Sequence, residues 1–369
     1  MHDSVQTIRN AFSTLRRSSK ARHRDIAEQL CLSEGELIAA HAGSASDDPN
    51  VILHATRLRP DWSGIMESLE PLGEAMALTR NASCVHEKTG VYRNASHQNH
   101  VGLVLGGAID LRIFYRQWAH GFAVIEQTKP GKPTEPAEPA EQRSLQFFDP
   151  EGTAIHKVFL KPGSDVAAYT RLVAHFAASD QSAGICAQTP AARPAELADA
   201  SIDVTGFHRA WDSLRDTHEF FGLLKTFGLT RTQALRLAEP RYVHKVAADD
   251  CQSLLHAAAT DGVSIMVFVG NPGMIQIHSG PVKKVAVMGP WLNVLDPGFS
   301  LHLREDHIAS AWVVKKPTVD GLVTSLELFD AQGDTMALFF GERKPGQREL
   351  CEWRALIENL QPEPRQCAA

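Results

Sequence analysis

The sequence predicts an α+β protein, a tandem duplication of a unit with a large antiparallel sheet and flanking helices. The chain of 369 residues is longer than a single hydrophobic core usually reaches, since cores stop growing at about 250–300 residues. SLQFFDPEG from Ser144 matches SLELFDAQG from Ser325 at five of nine positions, at an offset of 181. IDLRIF from Ile109 shares its apolar pattern with FSLHLR from Phe299 at an offset of 190, and the following AHGFAV and SAWVVK keep it. The difference of nine falls in the connecting loop, 19 residues from Ile125 to Arg143 against ten from Lys315 to Thr324. Loops are where a duplicated fold tolerates insertion best.

Within each unit helices precede strands without alternation, which argues for an antiparallel sheet with helices packed on it. In the first, RDIAEQL and GELIAAHA have helical spacing, and VGLVL, IDLRIF, SLQFFD and HKVFL are short β-branched or aromatic runs divided by Gly, Asp and Pro. In the second, HEFFGLLKTF and TQALRLA read as helices, then IMVFVG, MIQIH, VAVMG, LHLRE, AWVVK and SLELFD as strands. CLSEGEL from Cys31 and GLTRTQAL from Gly228 are alike, each a turn between two helical stretches. Two stretches are linker-like: TKPGKPTEPAEPAE from Thr128 to Glu141, and the small, polar run from Ala178 to Ala200. The expected organisation is a first unit at 1–178, a linker at 179–200, a second unit at 201–361 and a tail at 362–369.

The formal net charge of −6 removes the bulk attraction by which nucleic-acid binders neutralise phosphates. No stretch is long and apolar enough to span a bilayer, and MHDSVQTIRN lacks the apolar core of a signal peptide, so a soluble cytoplasmic protein without membrane partners is expected. The six cysteines form no C-x-x-C pair and read as free thiols rather than a zinc or disulfide framework. Motifs for NAD, flavin, phosphate loops, H-E-x-x-H zinc and G-x-S-x-G nucleophiles are absent. ARHRDIAEQLCLSEGELIAAH has helix-turn-helix spacing, but its second helix offers no Arg, Lys, Asn or Gln to base edges, so DNA regulation is a remote alternative.

Three segments could carry chemistry. In WDSLRDTHEFFGLLKTFGLT, Asp216 and Glu219 have capping spacing, which predicts His218 in the first helical turn, where imidazolium is disfavoured and a lone pair is available to a metal. The same residues would equally serve as a histidine at the edge of an aromatic core. In Ile109–Phe114, alternation puts Asp110, Arg112 and Phe114 on one face, cationic and aromatic surface that can cover a flat ligand, although a solvated sheet face looks the same. The duplicate has His302 in place of Arg112 and Gln276 in place of His86, so one dominant site is expected, with His86 the next histidine to suspect. Between Trp312 and Arg343, Lys316 and Arg343 could reach carboxylates from one direction, or be ordinary strand-end cations.

Together IDLRIF with QWAHGFAV, RSLQFFDPEGTAIHKVF, DTHEFFGLLKTFGLTRTQAL, IMVFVGNPGMIQIHSG, GPWLNVLDPGFSLHLRED and WVVKKPTVDGLVTSLELFD with GERKPG resemble the HemS/HmuS/ChuS family of hemin-degrading and hemin-transport proteins, in order along nearly the whole chain. The resemblance implies one b-type heme beside the sheets, as ligand or substrate. It implies an axial histidine at His218, a distal arginine at Arg112 with Phe114 following, propionate-side cations at Lys316 and Arg343, and further pocket residues at Arg231 and Phe268. Some members carry glutamine or tyrosine where this chain has Ala337, Leu338 and Phe339. The implied function is to receive imported heme and degrade it or promote its degradation, as an oxygenase with Arg112 catalytic and an external electron donor. The alternative is a chaperone passing heme to a separate heme oxygenase. The implied partners are a heme importer, a reductase or that oxygenase.

Overall fold

The computed structural model describes residues 2–19, 21–44, 51–128, 140–344 and 346–363. Most of the Thr128–Glu141 loop and most of the tail therefore lie outside the described residues. Contacts divide the chain into two compact units, one of Met1–Arg80, Glu87–Ala191 and Asn271–Gln276, the other of Asn81–His86, Ala192–Gly270 and Ile277–Ala369.

The first half of the chain runs through helices α1 (His2–Ser18), α2 (His23–Gln29) and α3 (Glu34–Ala39), strand β1 (Leu53–Arg57), helix α4 (Trp62–Glu67), strands β2 (Ala75–Arg80), β3 (Cys84–Gly90), β4 (Ala95–Gln98), β5 (Val101–Leu105), β6 (Asp110–Phe114), β7 (His120–Thr128), β8 (Ala140–Phe148) and β9 (Ala154–Leu160), and helix α5 (Val166–Phe176). The sheet of unit 1 has the antiparallel order β1-β7-β8-β9-β2. Ser33 starts α3 as a capping box, its hydroxyl accepting from the Glu36 N–H while the Glu36 carboxylate accepts from the Ser33 N–H. One core lies around Phe12, Ile26, Ile38, Phe122 and Phe148, and a second around Trp118, Phe147, Val158 and Tyr169.

The second half repeats the order: α6 (Val204–Asp212), α7 (Glu219–Phe227), α8 (Arg231–Leu237), β10 (Val243–Val246), α9 (Asp250–Asp261), β11 (Ser264–Asn271), β12 (Met274–Pro281), β13 (Val285–Met288), β14 (Trp291–Asp296), β15 (Phe299–Arg304), β16 (Ser310–Thr318), β17 (Gly321–Phe329), β18 (Thr335–Gly341) and α10 (Cys351–Glu358). The order β10-β16-β17-β18-β11 mirrors unit 1. Strands β7 and β16, whose first residues are 190 apart, are each nine residues long. Strands β8 and β17, 181 apart, are also nine residues each. The duplication thus holds at the level of individual strands.

Strand β17 is buried on both faces from Val323 onward, so that even Ser325 and Glu327 are enclosed. Leu326 and Leu328 enter the core that holds α9 and α10, while Phe329, with Val314 of β16, packs beneath α6, α7 and α8 around Phe207, Trp211 and Phe220. Ser325 and Glu327 share the parity of Phe329 and so face those helices. Gly228 ends α7 at φ 65°, a left-handed position that glycine adopts without a Cβ clash.

Six residues of each half lie in the other half's unit, and an asparagine anchors each segment. Within unit 2, Asn81 donates through Nδ2 to the carbonyls of Gly270 and Met336. Within unit 1, Asn271 donates through Nδ2 to the carbonyls of Arg80 and Ile155. Asn81 and Asn271 stand 190 apart, so the two anchors are duplicates of one another. The segment from Ala178 to Ala200 is irregular: Gln181 and Gly184 bond to Arg57 and Ala39 in unit 1, and Arg193 pairs with Asp334 in unit 2. Among the described residues no helix is long and apolar enough to cross a membrane, and the five described cysteines are free thiols.

Candidate functional site

His218 is the N-cap of α7, one residue before the helical turn that the capping pattern predicts for it. Only half of the expected reciprocal cap forms. The Glu219 carboxylate accepts from the N–H groups of Arg215 (2.8 Å) and Asp216 (3.3 Å), while Asp216 Oδ1 accepts from the His218 N–H (2.8 Å) instead of a helix donor. The same oxygen lies 2.6 Å from His218 Nδ1. Asp216 is held below its ordinary carboxyl value first by the His218 backbone N–H and then by its imidazole and by Arg343, against a loss of hydration. A carboxylate at this distance makes Nδ1 the protonated nitrogen and leaves the Nε2 lone pair for a metal. The ring is open to ligands, with its side chain 85% exposed. Just past it Phe221 is 61% exposed, a large apolar side chain with no core to enter.

Strand β16 and helix α8 supply cations to the same helical cap. Arg231, the first residue of α8, stacks on Phe220 at 5.1 Å and Phe221 at 5.8 Å. Its guanidinium grips Glu327 of β17 in a bidentate pair, Nε to Oε2 at 2.7 Å and Nη2 to Oε1 at 2.9 Å. Lys316 Nζ donates to Glu327 Oε1 at 2.7 Å and sits 4.7 Å from the Phe220 ring centroid. Far from reaching out at a strand end, the Lys316 side chain is 3% exposed. Burial pulls Lys316 down to about 8 against the attraction of Glu327. Burial alone would push Glu327 up, but the Arg231 and Lys316 cations together hold it well below the usual carboxylate range. Sequence reasoning missed Glu327. Its signal was an acidic residue between two leucines in a strand whose flanking residues are mostly apolar.

Phe268 of β11 pairs in register with Leu338 of β18, which pairs with Glu327, so Phe268 lies on the same sheet face as Glu327. Its ring meets Phe340 at 5.1 Å. Arg343 follows β18, and its Nη1 is buried without a hydrogen-bond partner while its charge acts on Asp216. Unit 2 therefore gathers His218, Arg231, Phe268, Lys316 and Arg343 around one helix-covered sheet face. Leu338 on that face supplies no polar group.

Arg112 and Phe114 belong to unit 1, on β6. Leu111 and Ile113 are fully buried and Asp110, Arg112 and Phe114 partly exposed, as alternation requires. Arg112 is paired with Asp110 and donates to the Leu111 carbonyl at 3.2 Å. Its cross-strand neighbour is Leu103, and Phe114 faces Val101. Val101 and Leu105 are 45% and 48% exposed, so Arg112 stands in an uncovered apolar strip. His86 is fully buried with its ring 5.0 Å from Phe299, not an open ligand like His218. The helix-turn-helix spacing corresponds to α2 and α3, but α3 buries every residue except Glu36 and has no face to lay in a groove. Among the described residues no group of three His, Cys, Asp or Glu side chains could hold a metal ion by itself.

The chain matches known proteins along almost all of its length. The family model described as the haemin-degrading HemS.ChuX domain matches twice, at residues 31–176 and 228–360. The hemin transport protein HmuS of Yersinia pestis is 38% identical over 350 residues, covering 93% of this chain and 95% of its own. The crystal structure of holo-PhuS, a heme-binding protein from Pseudomonas aeruginosa, superposes with a TM-score of 0.90 at 43% identity, covering 97% of this chain and 99% of that one. The Escherichia coli O157:H7 heme degrading enzyme ChuS gives a TM-score of 0.85 at 37% identity, covering 97% of this chain and 100% of its own. With one domain model matched in both halves and relatives of this identity over nearly the full length, the chain belongs to the HemS family.

Proposed function

We propose that the protein binds b-type heme with His218 as the axial iron ligand, and that it receives imported heme in the cytoplasm and degrades it or promotes its degradation to release iron. One observation carries the reading: an imidazole fixed through Nδ1 by Asp216, with its ring exposed, is built as a metal ligand. Heme is a flat apolar ring with carboxylates at one edge. Phe221 and Phe268 offer apolar surface, Arg231 and the unpartnered donor of Arg343 offer cations for the carboxylates, and Lys316 adds its charge from its buried place beside Glu327. Arg112 and Phe114 are further heme contacts, Arg112 being the catalytic candidate if the protein is an oxygenase. The descriptions of PhuS as heme-binding and ChuS as heme degrading support the same reading.

A second reading, a carrier that passes heme to a separate oxygenase, is favoured by the exposure of His218, since a ligand held at an open helix end can leave without opening a core. A heme importer and a reductase are the partners of the first reading, and an oxygenase is the partner of the second. Purified protein loaded with hemin, given a reductant under air with catalase present, should lose its Soret band if it degrades heme. A persistent band with the physiological electron donor, together with rapid transfer to an added oxygenase, selects the carrier. His218→Ala should change the ferric spectrum and weaken binding. An unchanged spectrum would refute the ligand assignment.

A further inference from the structure

Glu327 is fully buried and accepts four hydrogen bonds: Nε and Nη2 of Arg231, Nζ of Lys316 at 2.7 Å and the Ser325 hydroxyl at 3.0 Å. Resting on the heme reading, we propose that Glu327 is a positioning residue that fixes Arg231 against Phe220 and Phe221, with Lys316 as its buried balancing cation, as a receptor for one carboxylate of the ligand. Two cations around one carboxylate leave a surplus of one positive charge. That surplus belongs to Arg231, the more exposed cation at 14% against 3% for Lys316. Two of the five guanidinium N–H donors go to Glu327, and the pair fixes the plane of the fork. An arginine held this way meets an incoming carboxylate without first losing rotamer freedom.

The duplication isolates the feature. Glu126 of β7 stands where unit 2 has Lys316, Gln146 of β8 where it has Glu327, and Glu34, the first residue of α3 after the Ser33 cap, where it has Arg231 after the Thr230 cap. Unit 1 thus carries two carboxylates and a neutral amide at these positions. They are spent internally: Glu126 on Arg16 and His23, Glu34 on Arg80 and Lys157. A carboxylate receptor of this design therefore exists in unit 2 and has no counterpart at the same positions of unit 1.

The test compares hemin with hemin dimethyl ester, which keeps the iron and the ring and lacks the free carboxylates. Affinities of both for the full-length protein are measured from about pH 6 to about pH 10, and their ratio cancels changes at the iron. In the wild type the ratio should favour hemin by about tenfold near neutrality and fall as pH passes about 8, where Lys316 releases its proton and the surplus charge disappears. The charged groups facing Lys316 are Glu327 on β17 and Arg231 on α8, with the Phe220 ring on α7, and no carboxylate there titrates in that range. Lys316→Met should flatten the ratio. Glu327→Gln should move its fall at least one unit toward acid, because Lys316 loses the anion that favours its charge. A wild-type ratio constant across the range, or a fall that stays in place in Glu327→Gln, overturns the proposal. Should Glu327→Gln not fold, the wild type and Lys316→Met still decide. Failure of the heme reading looks different: neither compound would then give a His218-dependent Soret change.

Discussion

Glu34→Gln removes the single carboxylate that Lys157 and Arg80 share in unit 1, with Glu34 and Lys157 side chains only 5% and 7% exposed. Burial alone would raise Glu34, but Lys157 and Arg80 hold it well below the ordinary carboxylate range. Taking one partner from a buried pair costs about 3–5 kcal/mol, because the other charge is left without compensation. Lys157 has one escape, which is to give up its proton. Burial already pulls it down against Glu34. At pH 7 that escape caps the penalty at about 5 kcal/mol, since an unfolded lysine titrates near 10.4 and each unit is 1.36 kcal/mol. The sign follows from a folded value depressed below the unfolded one. The penalty is largest at neutral or lower pH and shrinks as pH rises toward 10.4, to about 2 kcal/mol at pH 9. Hydrogen exchange read peptide by peptide separates the units: β8 and β9 should lose protection by this amount while β16–β18 stay unchanged. A double variant, Glu34→Leu with Lys157→Met, should recover only the part of the loss that the uncompensated Lys157 contributes, because Arg80 still lacks its carboxylate. A deficit under about 1 kcal/mol, or one that does not shrink with pH, refutes the account.

Three other outcomes follow from local geometry. Asp216→Asn should weaken hemin binding about 10–100-fold without unfolding α7, because the amide no longer fixes the His218 tautomer, and a stopped-flow measurement of hemin release would register it as faster loss. Glu126 is pushed up by burial but brought down to about 2 by His23 and Arg16. Its contribution is therefore complete above the ordinary carboxylate range and lost as pH falls toward 2, so α1 should lose protection in hydrogen exchange over that interval before β7 and β8 do. Gly341→Ala would set a Cβ 2.6 Å from Trp353 Cγ, and the overpacking should cost unit 2 about 1–3 kcal/mol in urea denaturation followed by tryptophan fluorescence.

Period and local chemistry made legible the helix pairs α2–α3 and α7–α8 and the strands β5, β6, β8, β9, β11–β13 and β15–β17, while β1–β4, β10, β14, β18 and helices α1, α4–α6, α9 and α10 went unread. The runs IMVFVG and SLELFD fall in β11 and at the end of β17 because length and flanking turns identify a strand even where both faces are buried. The offsets of 190 and 181 survived into structure because strand length is fixed by pairing partners while loop length is not. Two features of the tertiary structure were hidden as well. The crossing of Asn81–His86 and Asn271–Gln276 depends on one asparagine in each half bonding carbonyls up to 255 residues away, which no local window can register. The burial of Lys316 was hidden for a related reason. A lysine near the end of a strand reads as solvated, and its enclosure depends on helices packed over the face it shares with Val314 and on Glu327 of the neighbouring strand.

The two copies of one strand pair show how a duplicated face diverges. In unit 2, β14 and β15 set Asn293 opposite His302 and Trp291 opposite Arg304. These groups satisfy each other: His302 Nδ1 lies 2.6 Å from Asn293 Oδ1, and Arg304 pairs with Asp306 while stacking 5.3 Å from Trp291. In unit 1 the same register positions hold Leu103 opposite Arg112 and Val101 opposite Phe114. There the aliphatic side chains offer no hydrogen bonds, and Arg112 takes its acceptors from Asp110 and a backbone carbonyl of its own strand. A sheet face that closes its own polar contacts needs no ligand, whereas an exposed apolar strip around one arginine gains by being covered. The charge pattern of the caps runs the other way, with the cationic pair in unit 2 and carboxylates in unit 1. On the heme reading proposed above, replacing Arg112 in unit 1 or Arg231 in unit 2 should each weaken hemin binding while leaving the fold of its own unit intact.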